Sequence, residues 1–243
     1  MGGPHRKIMR HQIHCGSCVL AGHCLPSSLS VSEVDILDEM VRRSRPLGRG
    51  EFLFRQGDEF RSIFVIRTGM IKKYCITDAG VEKVTGFQSP GEILGWAGVD
   101  CGEYPMSAQV LEPTSVCEIP FERLDELAEA IPQLRRQLMR LMSREIWEDQ
   151  QMMLLFSKRS SEERIATFLL SLSARFRARG YYAHTFRLSM SRGEIGNYLG
   201  VAMETVSRSF TKLQQLGLIR VSGKEVQIID YLSFCELAGS DEG

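Results

Sequence analysis

Residues 191–213 read SRGEIGNYLGVAMETVSRSFTKL and contain the signals of two helices joined by a tight turn. Ser191 and Glu194 have the Ser-x-x-Glu spacing of a capping box, which begins a helix. Apolar residues follow at helical spacing, and Gly200 can end this helix because glycine tolerates a left-handed backbone. The sequence therefore predicts a short helix, a glycine turn and a second helix.

The second of these helices has two unlike faces. Its apolar stripe consists of Met203, Val206, Phe210 and Leu213, and its polar face of Glu204, Ser207, Arg208 and Thr211. In a helix-turn-helix the second helix lies in the major groove of DNA. Glu204 can accept a hydrogen bond from cytosine, Arg208 can pair with guanine, and Ser207 can contact a base or a phosphate. These three residues are our candidate base readers, and a solvated helical hairpin is the alternative.

The segment after the second helix predicts a β-hairpin. Residues 221–228 have Gly223 at their centre and form a candidate wing, with Lys224 as its phosphate contact. Nearby cations that could also contact phosphates are Arg175, Arg177, Arg179 and Lys212. Capping box, glycine turn, polar face and wing follow in the order of a winged helix-turn-helix, which we place over residues 159–243.

A long helix is predicted before this domain. Pro132 can open a helix that runs to about Ser157, after a shorter helix over 121–130. One stripe of the long helix has heptad spacing and contains Arg135, Met139, Met142, Ile146, Asp149, Met153 and Phe156. A second, apolar stripe contains Leu134, Leu138, Leu141, Leu154 and Leu155. Two stripes predict a dimerisation helix over residues 132–158, and a single helix packed on its own domain is the alternative.

Asp149 is the unusual member of the predicted seam. A two-fold axis would set its carboxylate against the copy in the other chain, and like charges placed in this way oppose association. We therefore expect a weak dimer, unless Asp149 points to solvent and a slightly rotated seam avoids it.

Turn signals divide the chain between Leu47 and Pro120. They are Gly57-Asp58, Thr68-Gly69, Asp78-Ala79-Gly80 and Ser89-Pro90-Gly91, with short β-rich runs such as 63–67 and 71–76 between them. Short β-rich runs separated by turn signals predict an antiparallel β-roll, which we place over residues 29–131. The predicted fold class is α+β, with an N-terminal β-roll, a long dimerisation helix and a C-terminal winged helix-turn-helix.

Cysteines are concentrated in the N-terminal arm, residues 1–28. Cys15, Cys18 and Cys24 lie within ten residues and could bind one metal ion or cluster. A fourth cysteine ligand would be one of Cys75, Cys101, Cys117 and Cys235, and spacing alone does not choose among them. A zinc site completed by His14 or His23 is the physical competitor. Free thiols in a disordered arm are a third interpretation.

Composition excludes some classes of protein. The 243 residues are 43% hydrophobic and 25% charged, which is ordinary for a globular chain of one or two domains. Thirty basic and thirty acidic residues balance, so a basic surface must be local. No apolar run is long enough for a bilayer and no secretion signal is present, so we expect a cytoplasmic protein with no membrane partner. No phosphate loop or nucleophile elbow indicates an enzyme.

From about Cys15 to Gly239 the chain resembles the fumarate–nitrate reduction regulators of the CRP/FNR superfamily, including the Anr type. The cysteine trio and Cys117 within Thr114–Glu122 carry part of the resemblance. The remaining motifs are Leu138–Ser143, Ile195–Gly200 and Glu204–Arg208.

The resemblance implies a specific cofactor and function. In that family the cysteines matching Cys15, Cys18, Cys24 and Cys117 hold a [4Fe–4S] cluster that oxygen degrades, which selects an iron–sulfur cluster over zinc. The implied protein senses oxygen, and its cluster promotes dimerisation and DNA binding under anaerobic conditions. It would activate or repress genes of anaerobic metabolism together with RNA polymerase. Its base readers would recognise a TTGAT-N4-ATCAA-like palindrome.

Two features qualify the resemblance, the residue before Cys24 and the loop over residues 91–108. His23 precedes Cys24 where relatives usually have an apolar residue, and a polar side chain there can alter access of water and oxygen, unless it points outward. The β-roll is also similar to that of cAMP receptor proteins, which use a Glu and an Arg in the loop matching residues 91–108. Trp96 and Met106 occupy those places and lack the charges, so we expect no cyclic nucleotide.

Overall fold

The structure is a computed structural model that describes residues 13–156 and 160–239. The first twelve residues of the predicted arm, residues 157–159 at the boundary between the predicted dimerisation helix and the predicted DNA-binding domain, and residues 240–243 lie outside the described residues. The division into four domains stays a prediction.

The described chain begins with short helical turns. Three 3-10 helices, Cys15–Ser17, Ala21–His23 and Leu25–Ser28, precede helix α1, Val31–Met40. A capping box of Ser30 and Glu33 begins α1, with the Ser30 backbone N–H donating to Glu33 at 2.7 Å. Leu25 and Leu37 are fully buried, so the arm and α1 pack onto the β-roll that follows.

The β-roll contains seven strands and one short helix. They are β1 (Phe52–Phe54), β2 (Ser62–Thr68), β3 (Ile71–Ile76), β4 (Glu82–Gln88), β5 (Ile93–Leu94), α2 (Gly98–Cys101), β6 (Ser107–Val110) and β7 (Ser115–Pro120). One sheet has the order β1-β6-β3-β4 and the other the order β5-β2-β7, with antiparallel pairing throughout. The predicted β-roll and its strands over 63–67 and 71–76 are confirmed.

Apolar side chains from both sheets fill the roll, among them Phe54, Ile66 and Ile71. The turn between β2 and β3 requires glycine. Gly69 has φ of 90°, and a Cβ there would lie 2.2 Å from the Thr114 Oγ1 atom.

Two helices follow the roll, α3 (Phe121–Ala130) and α4 (Pro132–Phe156), and the two predicted helices are confirmed. The inner stripe of α4 packs on the roll, with Leu134 fully buried and Leu138 and Leu141 partly buried. The side chains of Leu154 and Leu155 lie outside the described part of the chain. The outer stripe stays open, because Met139 and Met153 are 66% and 71% exposed.

The C-terminal part is a winged helix-turn-helix. Its elements are α5 (Ser161–Arg177), β8 (Thr185–Arg187), α6 (Arg192–Leu199), α7 (Met203–Gln215), β9 (Ile219–Ser222), β10 (Glu225–Ile228) and α8 (Tyr231–Ala238). The three strands form a sheet of order β8-β10-β9. The predicted motif is confirmed, since Ser191 and Glu194 cap α6 and Gly200 ends it with φ of 68°.

The two halves of the molecule share one core. Val84 and Phe87 of β4 belong to the same buried cluster as the apolar residues of α5, α6 and α7. The Phe87 ring contacts the rings of Phe168 and Tyr198, with centroids 6.0 and 5.2 Å away. The helix-turn-helix is therefore packed directly on the β-roll. Among the described residues, no helix combines the length and the apolar composition needed to span a bilayer.

Candidate functional site

Helix α7 presents the three candidate base readers to solvent. Glu204, Ser207 and Arg208 are all exposed, while Val206 and Leu213 on the opposite face are fully buried. The Arg208 guanidinium lies 3.4 Å from the Thr205 hydroxyl, which it can leave for a base edge at little cost. Thus the structure brings the three residues onto one open face.

The turn before α7 also depends on a glycine inside α6, whose packing role no capping rule indicates. Gly196 lies inside α6, and a Cβ there would lie 2.6 Å from the Val201 carbonyl oxygen. The missing side chain lets the two helices of the motif approach closely. Met203, which was predicted to belong to the apolar stripe, is 52% exposed in the first turn of α7.

Two of the predicted phosphate contacts are wrong. Arg175 and Arg179 turn inward and form ion pairs with Glu92, at 2.6 and 2.8 Å. Burial would raise the pKa of Glu92, but the two guanidinium charges outweigh burial and the pKa lies below its usual value. These arginines join the end of α5 to the β-roll, because both pair with one largely buried carboxylate of the roll.

The other three predicted phosphate contacts stay on the surface. Arg177 donates to the Tyr231 hydroxyl at 2.9 Å, and Lys212 pairs with Glu162 at 3.4 Å. Lys224, the predicted phosphate contact of the wing, donates to the Ser189 carbonyl oxygen at 3.1 Å.

A second site lies at the other end of the chain, where four cysteines line one pocket. They are Cys15, Cys18 and Cys24 from the arm and Cys117 from β7. The pocket has about 400 Å³ of empty space including its mouth, and leucine, valine and isoleucine side chains line its walls. Cys75, Cys101 and Cys235 do not line it. Spacing could not choose the fourth cysteine, whereas the fold brings Cys117 to the trio.

Pairing of β7 with its neighbours positions Cys117. It lies opposite Val65 of β2, and the next residue, Glu118, forms a two-way backbone bridge with Arg42. In the arm, Cys15 begins the first 3-10 helix, Cys18 follows it, and Cys24 lies between the second and third.

The cysteine pocket disfavours thiolate charge. Burial raises the pKa of Cys15, with a further contribution from the Asp38 carboxylate. Burial also raises the pKa of Cys24 to about 12, and it raises the pKa of Cys117. These three thiols are therefore protonated at neutral pH unless a cationic group in the pocket favours their ionised form.

Two cations adjoin this pocket. Arg67 is part of its lining, and Arg43 contacts one of its thiols. Arg43 donates from its guanidinium to the Cys15 sulfur at 3.3 Å and forms an ion pair with Asp38. The Cys15 backbone N–H donates to the same Asp38 carboxylate at 2.7 Å. No motif marked Arg43 in the sequence, because its role depends on a contact across 28 residues.

The two histidines near the cysteines lie outside the pocket lining. His14 accepts a hydrogen bond from Gly16 and lies 3.3 Å from Asp35. His23 is exposed and borders a separate cleft that also contains Trp96. Within residues 13–156 and 160–239, no three His, Cys, Asp or Glu side chains converge on a position for a single metal ion.

The described seam residues lie along α4. Met139, Asp149 and Met153 are exposed, Ile146 is 57% exposed, and Met142 is half-buried. Asp149 also borders the cleft between α4 and α5.

Comparison with known proteins agrees with this architecture. Residues 163–236 match the Crp-like helix-turn-helix domain, and residues 44–130 match the cyclic nucleotide-binding domain. Among solved structures, FixK2 from Bradyrhizobium japonicum is similar with a TM-score of 0.73 at 25% identity, over 84% of this chain and 98% of that chain.

Two relatives extend over nearly the whole chain. The transcriptional activator protein Anr of Pseudomonas aeruginosa is 65% identical over 228 residues, which cover 94% of this chain and 93% of that protein. The fumarate and nitrate reduction regulatory protein of Escherichia coli K12 is 45% identical over 242 residues, covering 97% of each. These relatives are transcription regulators rather than enzymes. The chain belongs to the CRP/FNR family, as an Anr-type transcriptional activator with a DNA-binding helix-turn-helix.

Proposed function

We propose that Cys15, Cys18, Cys24 and Cys117 hold a [4Fe–4S] cluster and that the protein uses it to sense oxygen in the cytoplasm. The donor set fits this group, since four cysteine sulfurs are the usual ligands of such a cluster. The single observation that carries the proposal is that these four thiols, and no other described cysteine, border one pocket. The name of one relative agrees with it, because that protein is a fumarate and nitrate reduction regulator.

Dimerisation connects the cluster to DNA binding in this proposal. The cluster, when bound, supplies an iron–sulfur centre that oxygen degrades. The arm and α4 are in contact, because Gln137 of α4 donates to the Cys24 carbonyl oxygen at 3.4 Å. A change at the cysteine pocket can therefore move the seam of Met139, Met142, Ile146, Asp149 and Met153. Cluster binding would reorient the seam enough to offset the repulsion between the two Asp149 carboxylates. Loss of the cluster would then let the two chains separate.

The dimer would read a two-fold symmetric site. Glu204, Ser207 and Arg208 of each chain would contact one half-site of a TTGAT-N4-ATCAA-like palindrome, whose symmetry matches that of the protein. We propose that the bound dimer acts with RNA polymerase to activate or repress genes of anaerobic metabolism.

Iron and sulfide analysis of protein purified without oxygen tests the cofactor. We expect about four irons and about four sulfides per chain, as the cluster formula requires. Cys117→Ala should lose both. Cys101→Ala is the matched control, because Cys101 is exposed and does not line the pocket, and it should keep both. Zinc at one ion per chain, or iron retained by Cys117→Ala, would contradict the proposal.

A further inference from the structure

Arg43 is a buried cation at the cysteine pocket. Its side chain is only 7% exposed and is paired with Asp38. Its backbone position is fixed by the neighbouring bridge, in which Arg42 and Glu118 exchange hydrogen bonds of 2.8 and 2.9 Å. This bridge places Arg43 beside the strand that carries Cys117.

The Arg43 guanidinium contacts one of the four thiols directly. It donates to the Cys15 sulfur at 3.3 Å. Cys15 comes from the arm, and the Arg42–Glu118 bridge holds the Arg43 backbone beside the β-roll strand that carries Cys117. One residue therefore connects the segments that carry the ligands farthest apart in sequence.

The Arg43 side chain also has an unused hydrogen-bond donor. Within the described residues, the Arg43 Nε atom is buried and has no hydrogen-bond partner. An unsatisfied buried donor is unfavourable, and an additional acceptor beside it would stabilise the folded chain. The sulfide and thiolate sulfurs of a bound cluster are acceptors of this kind.

We infer that Arg43 is a positioning residue for the proposed cluster, holding Cys15 near Cys117 and stabilising negative charge on the cluster sulfurs by hydrogen bonding. Asp38 orients it by binding the guanidinium and the Cys15 N–H with the same carboxylate. The inference rests on the proposed function. It concerns how firmly iron is held and how readily the cluster accepts an electron.

The expected effect on the cluster has a definite sign. Reduction adds negative charge, which hydrogen bonds to the sulfurs stabilise, so these bonds raise the reduction potential. Removing the donor should shift the potential to more negative values. Loss of such an outer hydrogen-bond partner also weakens metal binding, typically by about tenfold or more.

The experiment compares four full-length chains reconstituted without oxygen: the natural chain, Arg43→Gln, Arg43→Lys and Arg45→Gln. Arg45 is the matched control, because it is exposed and pairs with Glu51 away from the pocket. The measurements are iron and sulfide content, the one-electron reduction potential, iron release to a chelator and the iron–thiolate stretching frequencies by resonance Raman spectroscopy.

In Arg43→Gln we expect a more negative potential, higher iron–thiolate frequencies and about tenfold faster loss of iron to the chelator. Arg43→Lys keeps the charge without the planar guanidinium. Its potential, its stretching frequencies and its rate of iron loss should therefore lie between those of Arg43→Gln and those of the natural chain. If Arg43→Gln does not fold by circular dichroism, the lysine variant must still show the spectroscopic shift.

The outcomes separate the two proposals. A natural chain without iron and sulfide would overturn the proposed function and this inference with it. Clusters in both Arg43 variants that match Arg45→Gln in potential and in stretching frequency would overturn this inference alone.

Discussion

At the residue scale, the proposed base readers Arg208 and Glu204 carry different chemistry on one exposed face of α7. The guanidinium presents two parallel donors, whereas the carboxylate only accepts. Each residue should therefore control a different base pair of the half-site, and its replacement should change specificity as well as affinity.

For Arg208→Ala we expect discrimination at the guanine of each half-site to fall by about 1–3 kcal/mol, because the bidentate guanine contact is lost. Fluorescence anisotropy on the palindrome and on a copy with that guanine replaced gives the measurement.

The control for this variant is Lys212→Ala, which removes an exposed cation from the same helix. It should weaken binding to both sequences alike, since a phosphate contact carries no base information. If Arg208→Ala also lost the same amount on both sequences, Arg208 would be a phosphate contact and its assignment as a base reader would be wrong.

Single residues differ in how far the sequence reveals them. Ser191, Glu194 and Gly200 follow local rules of helix capping, so their roles could be predicted. Cys117 could not be chosen by spacing, because strand pairing rather than chain proximity brings it to the trio. Arg43 carries no local signal at all.

At the element scale, one face of α4 packs on the β-roll and another face is exposed. Leu134 is fully buried, while Ile146 lies on the open face. The period of the apolar residues predicted this division, because both stripes follow helical geometry. Which partner covers the open face is not encoded in the period, so the dimer seam stays a prediction.

Asp149→Ala removes the carboxylate that opposes association in the proposed seam. We expect the variant to remain dimeric in air, whereas the natural chain separates once its cluster is lost. Sedimentation velocity of aerobic protein measures this difference.

Gln150→Ala is the matched control, because Gln150 is the next residue of α4 and is also exposed. It should behave like the natural chain. An aerobic Asp149→Ala protein that sediments as a monomer would refute the repulsion mechanism.

At the scale of the whole molecule, the β-roll and the helix-turn-helix are held together by buried charge as well as by a shared core. Glu92 of the roll pairs with Arg175 and Arg179. Sequence reasoning placed these arginines on the surface because charge alone does not indicate which cations are buried. Burial of the two arginines depends on Glu92, which lies more than 80 residues away in sequence, so no local sequence pattern could indicate it.

Glu92→Gln should destabilise the protein by about 3–5 kcal/mol, because it leaves two buried guanidiniums without their carboxylate. Urea unfolding at neutral pH measures the change. The exposed pair of Arg45 and Glu51 gives the control, and Glu51→Gln should change the urea midpoint little. Equal effects of the two variants would show that the buried position of Glu92 adds nothing.

The same pair predicts a pH dependence of stability. The pKa of Glu92 is lower in the folded chain than its usual value of 4.5. The ionised carboxylate therefore contributes fully to the free energy of unfolding above pH 4.5, and this contribution is lost as the pH falls below 4.5. The urea concentration at the unfolding midpoint of the natural chain should decrease as the pH is lowered below about 4.5. The share of this decrease that comes from Glu92 should be absent in Glu92→Gln. Parallel curves would contradict the prediction.

The contact between β4 and α6 has a further consequence. β4 is the last strand of its sheet, and Asn197 occupies its free backbone groups by accepting from Val84 and donating to the Glu82 carbonyl oxygen, both at 2.8 Å. An uncovered strand edge can pair with another chain and start aggregation. Any motion that carries α6 away from the roll exposes this edge, with Lys83 as its one exposed charge between those two residues. The helix-turn-helix therefore covers part of a strand edge through which the β-roll could otherwise pair with another chain.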